Sequence, residues 1–231
     1  VRSGWEDLII AGGVESMSRV PMASDGGPWA MDPETALEAD FVPQGISADL
    51  IATIGGYSRA GVDRLAAISH ERAANAWAEG RFDRSVVPVV GRNGLVILDR
   101  DETIRTDTTV ESLSALKPSF AVMGQAAGFD AVALEKYVHV PAINHVHHAG
   151  NSSGVVDGAG AVLLASPDYA KAHGMKPRAR IRAMCNMGDC PTLMLNAPVP
   201  AARKVLAKAG LTIADIDLFE INEAFAVVAE K

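Results

Sequence analysis

Apolar positions follow two different spacings along this chain, and each spacing predicts a type of element. Residues 8–13 form a continuous apolar run that ends in glycines, a pattern typical of a strand buried on both faces. Residues 58–80 place apolar side chains at helical spacing, with Ser58 able to cap the start and Gly80 able to end the helix. The clearest predicted helix therefore lies at 58–80.

Shorter segments continue the same two patterns. Strands are predicted at 86–90 and 95–98, on either side of a Gly-Arg-Asn-Gly turn. The other predicted segments are a small-residue apolar run at 159–165, a helix at 167–173, a strand at 179–184, a helix that Pro200 begins and Gly210 ends, and a strand at 217–221. Because strands alternate with helices, the predicted fold class is α/β.

Both ends of the sequence suggest a chain that continues. Position 1 is Val rather than Met, and residues 224–231 have the composition of a small apolar helix that has only begun. Natural termini are usually polar and frayed. We therefore expect an internal piece of a longer protein, with catalytic groups outside it.

Composition and charge narrow the function classes. The 231 residues are 48% hydrophobic and 21% charged, which fits a globular protein and excludes a disordered one. A net charge of −7 argues against binding to nucleic acid or to an anionic membrane surface. No apolar run reaches the roughly 18 residues that a membrane span needs. The two cysteines suit a reducing compartment, so we expect a cytoplasmic protein.

Two segments carry side chains suited to ligand binding. Residues 149–154 combine Gly, Asn and Ser, which let the backbone approach a ligand and supply short donors and acceptors. Asn222 follows the predicted strand 217–221, at a strand-to-helix switch where its amide can stabilise a water or an oxyanion. The structural alternatives stay open here: a capped turn for 149–154 and a helix N-cap for Asn222. For residues 11–18 the sequence favours a structural role, fixing a neighbouring loop or a subunit contact, over direct contact with a ligand.

Three histidines suggest a metal site as one interpretation. His145 and His147 would share a face if their segment were a strand, and His148 follows them. No further ligand joins His145 and His147 on that face at a recognisable spacing, and Cys185 and Cys190 do not form a zinc-type pair. We therefore expect no metal.

Taken in order, three motifs resemble those of the thiolase family. They are AGGVESMS at 11–18, GNSSGVVDGA at 150–159 and NEAFA at 222–226, and the resemblance covers essentially the whole chain. It implies two similar α/β halves, each with a mixed sheet between helices, and an inserted loop domain that binds coenzyme A (CoA). The implied division assigns 1–24 and 156–176 to the N-terminal domain, 25–155 to the loop domain and 177–231 to the start of the C-terminal domain.

The resemblance also implies a reaction, the cleavage of a 3-ketoacyl-CoA with free CoA into acetyl-CoA and a shortened acyl-CoA, or the reverse condensation. Such chemistry needs a thiolate nucleophile, a second acid or base, and oxyanion holes. By the family pattern the nucleophile falls before Val1, and the catalytic His and second Cys fall after Lys231. No cofactor is implied, since CoA is a substrate, and family members form dimers or tetramers.

The family pattern assigns roles to particular positions of this sequence. Asn222 matches the catalytic Asn that positions a water for the oxyanion. The predicted contacts with CoA and substrate are the nucleotide-end residues Arg105 and Ser112, the pantetheine-arm residues Ser119, Phe120, Ala149, Ser153, Gly154 and Val155, and the acyl-pocket residues Met194, Ala224 and Phe225.

Two further expectations concern the substrate and a rival function. Residues 44–50 lack the His-Met pair that the biosynthetic branch carries in its covering loop, which favours the degradative branch. The alternative is a thiolase-like protein that binds acyl-CoA or lipid without catalysis.

Overall fold

The computed structural model describes all 231 residues, and most of its regular structure is helical. The strands are β1 (Leu8–Ser16), β2 (Val89–Val90), β3 (Val96–Leu98) and β4 (Asp157–Ala165). The helices are α1 (Pro28–Met31), α2 (Pro33–Glu38), α3 (Gln44–Gly55), α4 (Arg59–Ala78), α5 (Val110–Ser114), α6 (Ala121–Ala126), α7 (Phe129–Lys136), α8 (Pro167–Ala172), α9 (Pro198–Ala209) and α10 (Ala226–Glu230). No helix is both long enough and apolar enough to cross a membrane.

The longest strands, β1 and β4, pair with each other in antiparallel register, with Leu8 opposite Ala165 and Ser16 opposite Asp157. The pairing brings together the two segments that flank 25–155, as the predicted domain division requires, although the division itself stays a prediction. Burial of β1 on both faces is wrong, because Ile10 is 74% exposed and β4 is the only strand beside it. Both sheets of this chain are two-stranded and antiparallel, so the mixed sheets of the predicted fold do not form within these residues.

Local signals place the longest helix, α4, where the sequence predicts it. The Ser58 hydroxyl accepts a 3.1 Å hydrogen bond from the Gly61 amide and so caps the first turn. Gly80 follows the helix with a φ of +68°, a conformation that glycine adopts without strain. The strands predicted at 86–90 and 95–98 also form, as the shorter pair β2 and β3.

Two predicted strands are wrong. Residues 179–184 and 217–221 have no regular structure, and Leu218 is 89% exposed. An apolar run forms a strand only where a neighbour accepts and donates its backbone hydrogen bonds, and no segment pairs with these two. The predicted helix between them does form, but α9 begins at Pro198 rather than Pro200 and is capped by Gly210.

The core surrounds α3, which contributes to two hydrophobic clusters. Ile46 and Leu50 pack in one cluster with side chains from α7, and Ala48 and Ile51 pack in the other. The second cluster also holds Phe225, Ala226 and Val227, together with Val62 of α4. The end of the chain therefore packs on α3 and α4, and this packing fixes the position of the NEAFA motif.

Candidate functional site

A cleft of about 950 Å³ opens beside α4, between α5, the loop 149–154 and the segment 220–223. Its lining includes half of the predicted site residues, which are Arg105, Ser112, Ala149, Ser153, Gly154 and Asn222. These residues come from three distant parts of the sequence. The structure thus brings the three parts to one place, and the individual roles of the residues stay predictions.

The loop 149–154 forms one wall of the cleft, and it begins with the 3-10 turn Ala149–Asn151. The Gly150 amide donates to His148 Nδ1 at 3.0 Å, and the Asn151 Oδ1 accepts from the His148 amide at 2.8 Å. A Cβ on Gly150 would lie 2.5 Å from Leu113 Cδ2, so a larger residue would displace either the Leu113 side chain or the loop. The predicted capped turn is therefore present, and it lines the cleft as well.

The segment that carries Asn222 is joined directly to this loop. The Ser153 amide donates to the Ala224 carbonyl at 3.0 Å, and Ser152 and Phe225 form an antiparallel bridge. Asn222 is exposed and lines the cleft. Its alternative role as a helix N-cap is wrong, because α10 begins only at Ala226 and Phe225 occupies the cap position.

Another wall of the cleft is formed by α5 and the segment before it. Thr109 and Ser112 cap α5 reciprocally: the Thr109 amide donates to Ser112 Oγ at 3.0 Å, and the Ser112 amide donates to Thr109 Oγ1 at 3.1 Å. Arg105 is exposed, and its amide donates to His70 Nδ1 at 3.2 Å. Arg105 also lines a second groove of about 620 Å³ along α4, so this residue belongs to both concavities.

The other predicted contacts lie outside the cleft. Phe225 is a buried core residue, and its ring packs edge-on against Phe120 with centroids 5.7 Å apart. Val155 is 64% exposed, and Met194 is half-buried with its amide bonded to the Cys190 carbonyl. Ser119 donates its amide to the His147 carbonyl at 2.9 Å. Ala224 is half-buried and packs against the same core as Phe225.

Behind the loop lies Asp63 of α4, a fully buried carboxylate that the sequence analysis did not single out. Its Oδ1 accepts from His148 Nε2 and Asn151 Nδ2, both at 2.8 Å, and its Oδ2 accepts from Arg59 Nε at 2.7 Å. Burial lowers the pKa of His148, more than the bond to Asp63 raises it. A neutral His148 with its proton on Nε2 satisfies both ring nitrogens, since Nδ1 accepts from Gly150.

A second buried carboxylate, Asp49 of α3, holds the other two histidines. Its Oδ1 accepts from His147 Nδ1 at 2.7 Å and from the amides of Val146 and His147 at 3.0 Å. Its Oδ2 lies 2.8 Å from His145 Nδ1, and His145 Nε2 lies 3.0 Å from Asp130. Burial alone would raise the pKa of Asp49, but the bonds from His145 and His147 outweigh it and lower that pKa. The same bond to Asp49 raises the pKa of His145.

His145, His147 and His148 each have a carboxylate partner. The segment around His145 and His147 is not a strand, so the shared strand face is wrong. No group of three or more His, Cys, Asp or Glu side chains is arranged to hold a metal ion. Cys185 and Cys190 are free, half-buried thiols, and the Tyr137 hydroxyl donates to the Cys190 sulfur at 3.1 Å.

One feature of the sequence does indicate a role for Asp63, namely its position on an apolar helix face. Asp63 lies between Val62 and Ala66 on the buried face of α4, and a charged residue on an apolar helix face requires a partner. The identity of that partner could not be read from the spacing, because His148 lies 85 residues further along the chain.

Two family models match this chain: "Thiolase, N-terminal domain" over residues 1–136 and "Thiolase, C-terminal domain" over residues 175–230. A 3-ketoacyl-CoA thiolase of Aeromonas hydrophila is 41% identical over 98% of this chain and 54% of its own length. A beta-ketoadipyl-CoA thiolase of Pseudomonas knackmussii is 37% identical over 98% of this chain and 56% of its own length. The chain therefore spans about half the length of the curated relatives it matches.

A solved structure has the same fold. The dimeric peroxisomal thiolase of Saccharomyces cerevisiae superposes with a TM-score of 0.79 at 32% identity, and the match covers 99% of this chain and 54% of that one. This likeness confirms the predicted α/β fold class as part of a larger architecture.

Proposed function

Since this chain belongs to the thiolase family, we propose that the protein containing it is an acyltransferase that cleaves 3-ketoacyl-CoA with CoA into acetyl-CoA and a shortened acyl-CoA, or runs the reverse condensation. One observation carries the proposal at the level of the site. The cleft gathers Arg105, Ser153 and Asn222, three residues that the family pattern assigns to the nucleotide end, the pantetheine arm and the oxyanion.

The chemistry of the cleft lining fits a CoA thioester along its length. Arg105 supplies a cation and a planar guanidinium for the phosphates and adenine of the nucleotide end. The loop 149–154 exposes backbone and small side chains, so a narrow pantetheine arm can lie close to it. Asn222 would hold a water against the developing oxyanion of the thioester, where a positioned donor stabilises charge most effectively.

The reacting sulfur is not assigned to this chain. Cys185 and Cys190 do not line the cleft, and neither matches a family cysteine. In the proposed reaction a thiolate from another part of the protein attacks the ketone carbon, and acetyl-CoA leaves as an enolate that a second acid protonates. The acyl group then passes to the sulfur of free CoA. This chain contributes the CoA cleft and the oxyanion water.

We propose a degradative substrate range, a homodimer and a cytoplasmic location. Residues 44–50 lack the His-Met pair of the biosynthetic branch, although they open the buried helix α3 rather than form a loop. The relatives named above act, by their names, on 3-ketoacyl-CoA and beta-ketoadipyl-CoA, and the solved relative is described as dimeric. A homotetramer is the alternative assembly, which light scattering would distinguish. Two free cysteines support a reducing compartment.

The direct test is thiolysis by the purified full polypeptide that carries this chain. A series of 3-ketoacyl-CoA substrates of increasing length is mixed with CoA, and acetyl-CoA is quantified. Formation of acetyl-CoA and the shortened acyl-CoA in equal amounts supports the proposal. Tight binding of acyl-CoA without any product would instead support the non-catalytic binding protein.

A further inference from the structure

Both walls of the cleft are attached to one buried carboxylate, Asp63. On the loop side, Asp63 Oδ1 accepts from His148 Nε2 and Asn151 Nδ2, both at 2.8 Å. On the other side, Asp63 Oδ2 accepts from Arg59 Nε at 2.7 Å. The carboxylate therefore uses separate oxygens for the two directions.

Arg59 carries the connection to the second wall. Its Nη2 donates to the Leu113 carbonyl at 2.6 Å and to the Leu116 carbonyl at 2.8 Å. These carbonyls stand at the end of α5, the helix that carries Ser112, and both leucines line the cleft. A guanidinium can donate to Asp63 and to two carbonyls at once because its donors form a rigid fork.

His148 and Asn151 carry the connection to the first wall. His148 Nδ1 accepts from the Gly150 amide, and Asn151 Oδ1 accepts from the His148 amide, so the two side chains define the turn Ala149–Asn151. Asn151 Nδ2 also donates to the Val146 carbonyl at 3.1 Å. Ser153 and Gly154 follow this turn directly and line the cleft.

We propose that Asp63 is a positioning residue for CoA, fixing the loop 149–154 and the end of α5 relative to each other through His148 and Asn151 on one side and Arg59 on the other. The proposal rests on the proposed function of the cleft. A buried carboxylate is costly to desolvate, and well-packed apolar residues often stabilise a core equally well. A charged centre is favoured where several partners must be fixed in one geometry, as they are around both oxygens of Asp63.

The chain offers a matched control in Asp49. Both aspartates are fully buried and accept from histidine rings. The side chains that Asp49 binds, His145 and His147, do not line the cleft. A purely structural role for Asp63 predicts that Asp63→Asn and Asp49→Asn behave alike, whereas a positioning role predicts that only Asp63→Asn changes the affinity for CoA.

The experiment measures Kd for CoA by calorimetry, KM and kcat in thiolysis, and the melting temperature, on the full polypeptide. For Asp63→Asn we expect Kd and KM for CoA to rise about tenfold, the size of effect typical of losing one charge-assisted hydrogen bond, with kcat changed less than about threefold. Asp49→Asn should lower the melting temperature and leave Kd and KM unchanged.

A second variant keeps the test decisive if Asp63→Asn does not fold. Arg59→Lys retains a cation near Asp63 but has one ammonium nitrogen in place of the two guanidinium nitrogens that contact Asp63 and the carbonyls of Leu113 and Leu116. The three bonds cannot all keep their geometry, so Kd for CoA should rise while the melting temperature changes little. Unchanged Kd and KM in Arg59→Lys, or in a folded Asp63→Asn, would overturn the inference and leave the proposed function intact. A wild-type protein that neither binds CoA nor turns it over would overturn both.

Discussion

The amide of Ser153 donates a 3.0 Å hydrogen bond to the carbonyl of Ala224, and this bond, with the bridge between Ser152 and Phe225, joins two motifs that lie far apart in the sequence. One side of the contact is the glycine-rich loop that lines the cleft, and the other is the segment that carries Asn222. A group that binds the loop therefore occupies the same cleft that Asn222 lines. The predicted pantetheine contact and the predicted oxyanion residue share one local framework.

Asn222→Ala should lower kcat for thiolysis by about a hundredfold, because removing one oxyanion donor has that order of effect. KM for CoA should change little, since the loop contacts remain. Steady-state kinetics on the full polypeptide provide the measurement. Asn186→Ala is the matched control, because Asn186 is also exposed but does not line the cleft. Equal activity in the two variants would contradict the role given to Asn222.

Arg105→Ala should weaken binding of CoA by about tenfold but leave binding of an acyl-pantetheine, which lacks the nucleotide, unchanged. The reason is that Arg105 is assigned to the nucleotide end alone. Calorimetry with the two ligands gives the comparison, and Arg92→Ala, an exposed arginine in the β2–β3 turn, is the control. A similar loss for both ligands would place Arg105 elsewhere along CoA.

Gly150→Ala should destabilise the protein by about 1–3 kcal/mol, the range for an overpacked site. A Cβ there meets Leu113 Cδ2 at 2.5 Å and Leu116 Cδ1 at 3.0 Å, so the leucine side chains or the loop must shift. Thermal denaturation measures the loss. Gly158→Ala is the control, since nothing lies within 4 Å of its Cβ position, and an equal loss in both variants would contradict this reading of the loop.

The pKa values of His145 and His148 should be shifted in opposite directions from the ordinary value of a histidine. The bond to Asp49 raises the pKa of His145 above its ordinary 6.5, and burial lowers the pKa of His148 below it. His145 therefore stabilises the fold below pH 6.5 and loses that contribution as pH rises through its folded pKa. His148 contributes above pH 6.5 and loses that contribution as pH falls through its folded pKa.

NMR titration of the ring protons measures both pKa values directly, with His145→Gln and His148→Gln used to assign the signals. Unfolding experiments give a second readout: the stability lost in His145→Gln should be greatest in acid, and that lost in His148→Gln greatest in alkali. A His148 that titrates above His145 would mean that the hydrogen bonds around Asp49 and Asp63 are assigned wrongly.

The sequence contains enough information for elements whose ends are set by local contacts. Ser58 directly precedes α4 and caps it by accepting from the amide of Gly61, three residues further along. Gly80 ends the helix by its own backbone conformation, so neither signal depends on the rest of the fold. The strands expected at 179–184 and 217–221 depend on a partner strand, and an apolar run does not reveal whether a partner exists.

Six predicted site residues line the cleft, and they include Arg105 and Ser112, which lie outside the three motifs and were assigned by the family pattern. Ser153 and Asn222 belong to two motifs and do line the cleft. The contacts of Asp63 could not be predicted from the sequence, because they join α4 to side chains up to 88 residues away and depend on tertiary packing. For the same reason Phe225, a motif residue, could not be recognised as part of the core.

The measurement that tests the central claim most directly is a crystal structure of the full polypeptide with CoA bound. The account predicts the nucleotide near Arg105, the pantetheine arm along Ser153 and Gly154, and the sulfur directed toward the water that Asn222 holds. CoA bound at a different surface, with the cleft beside α4 left to solvent, would contradict it.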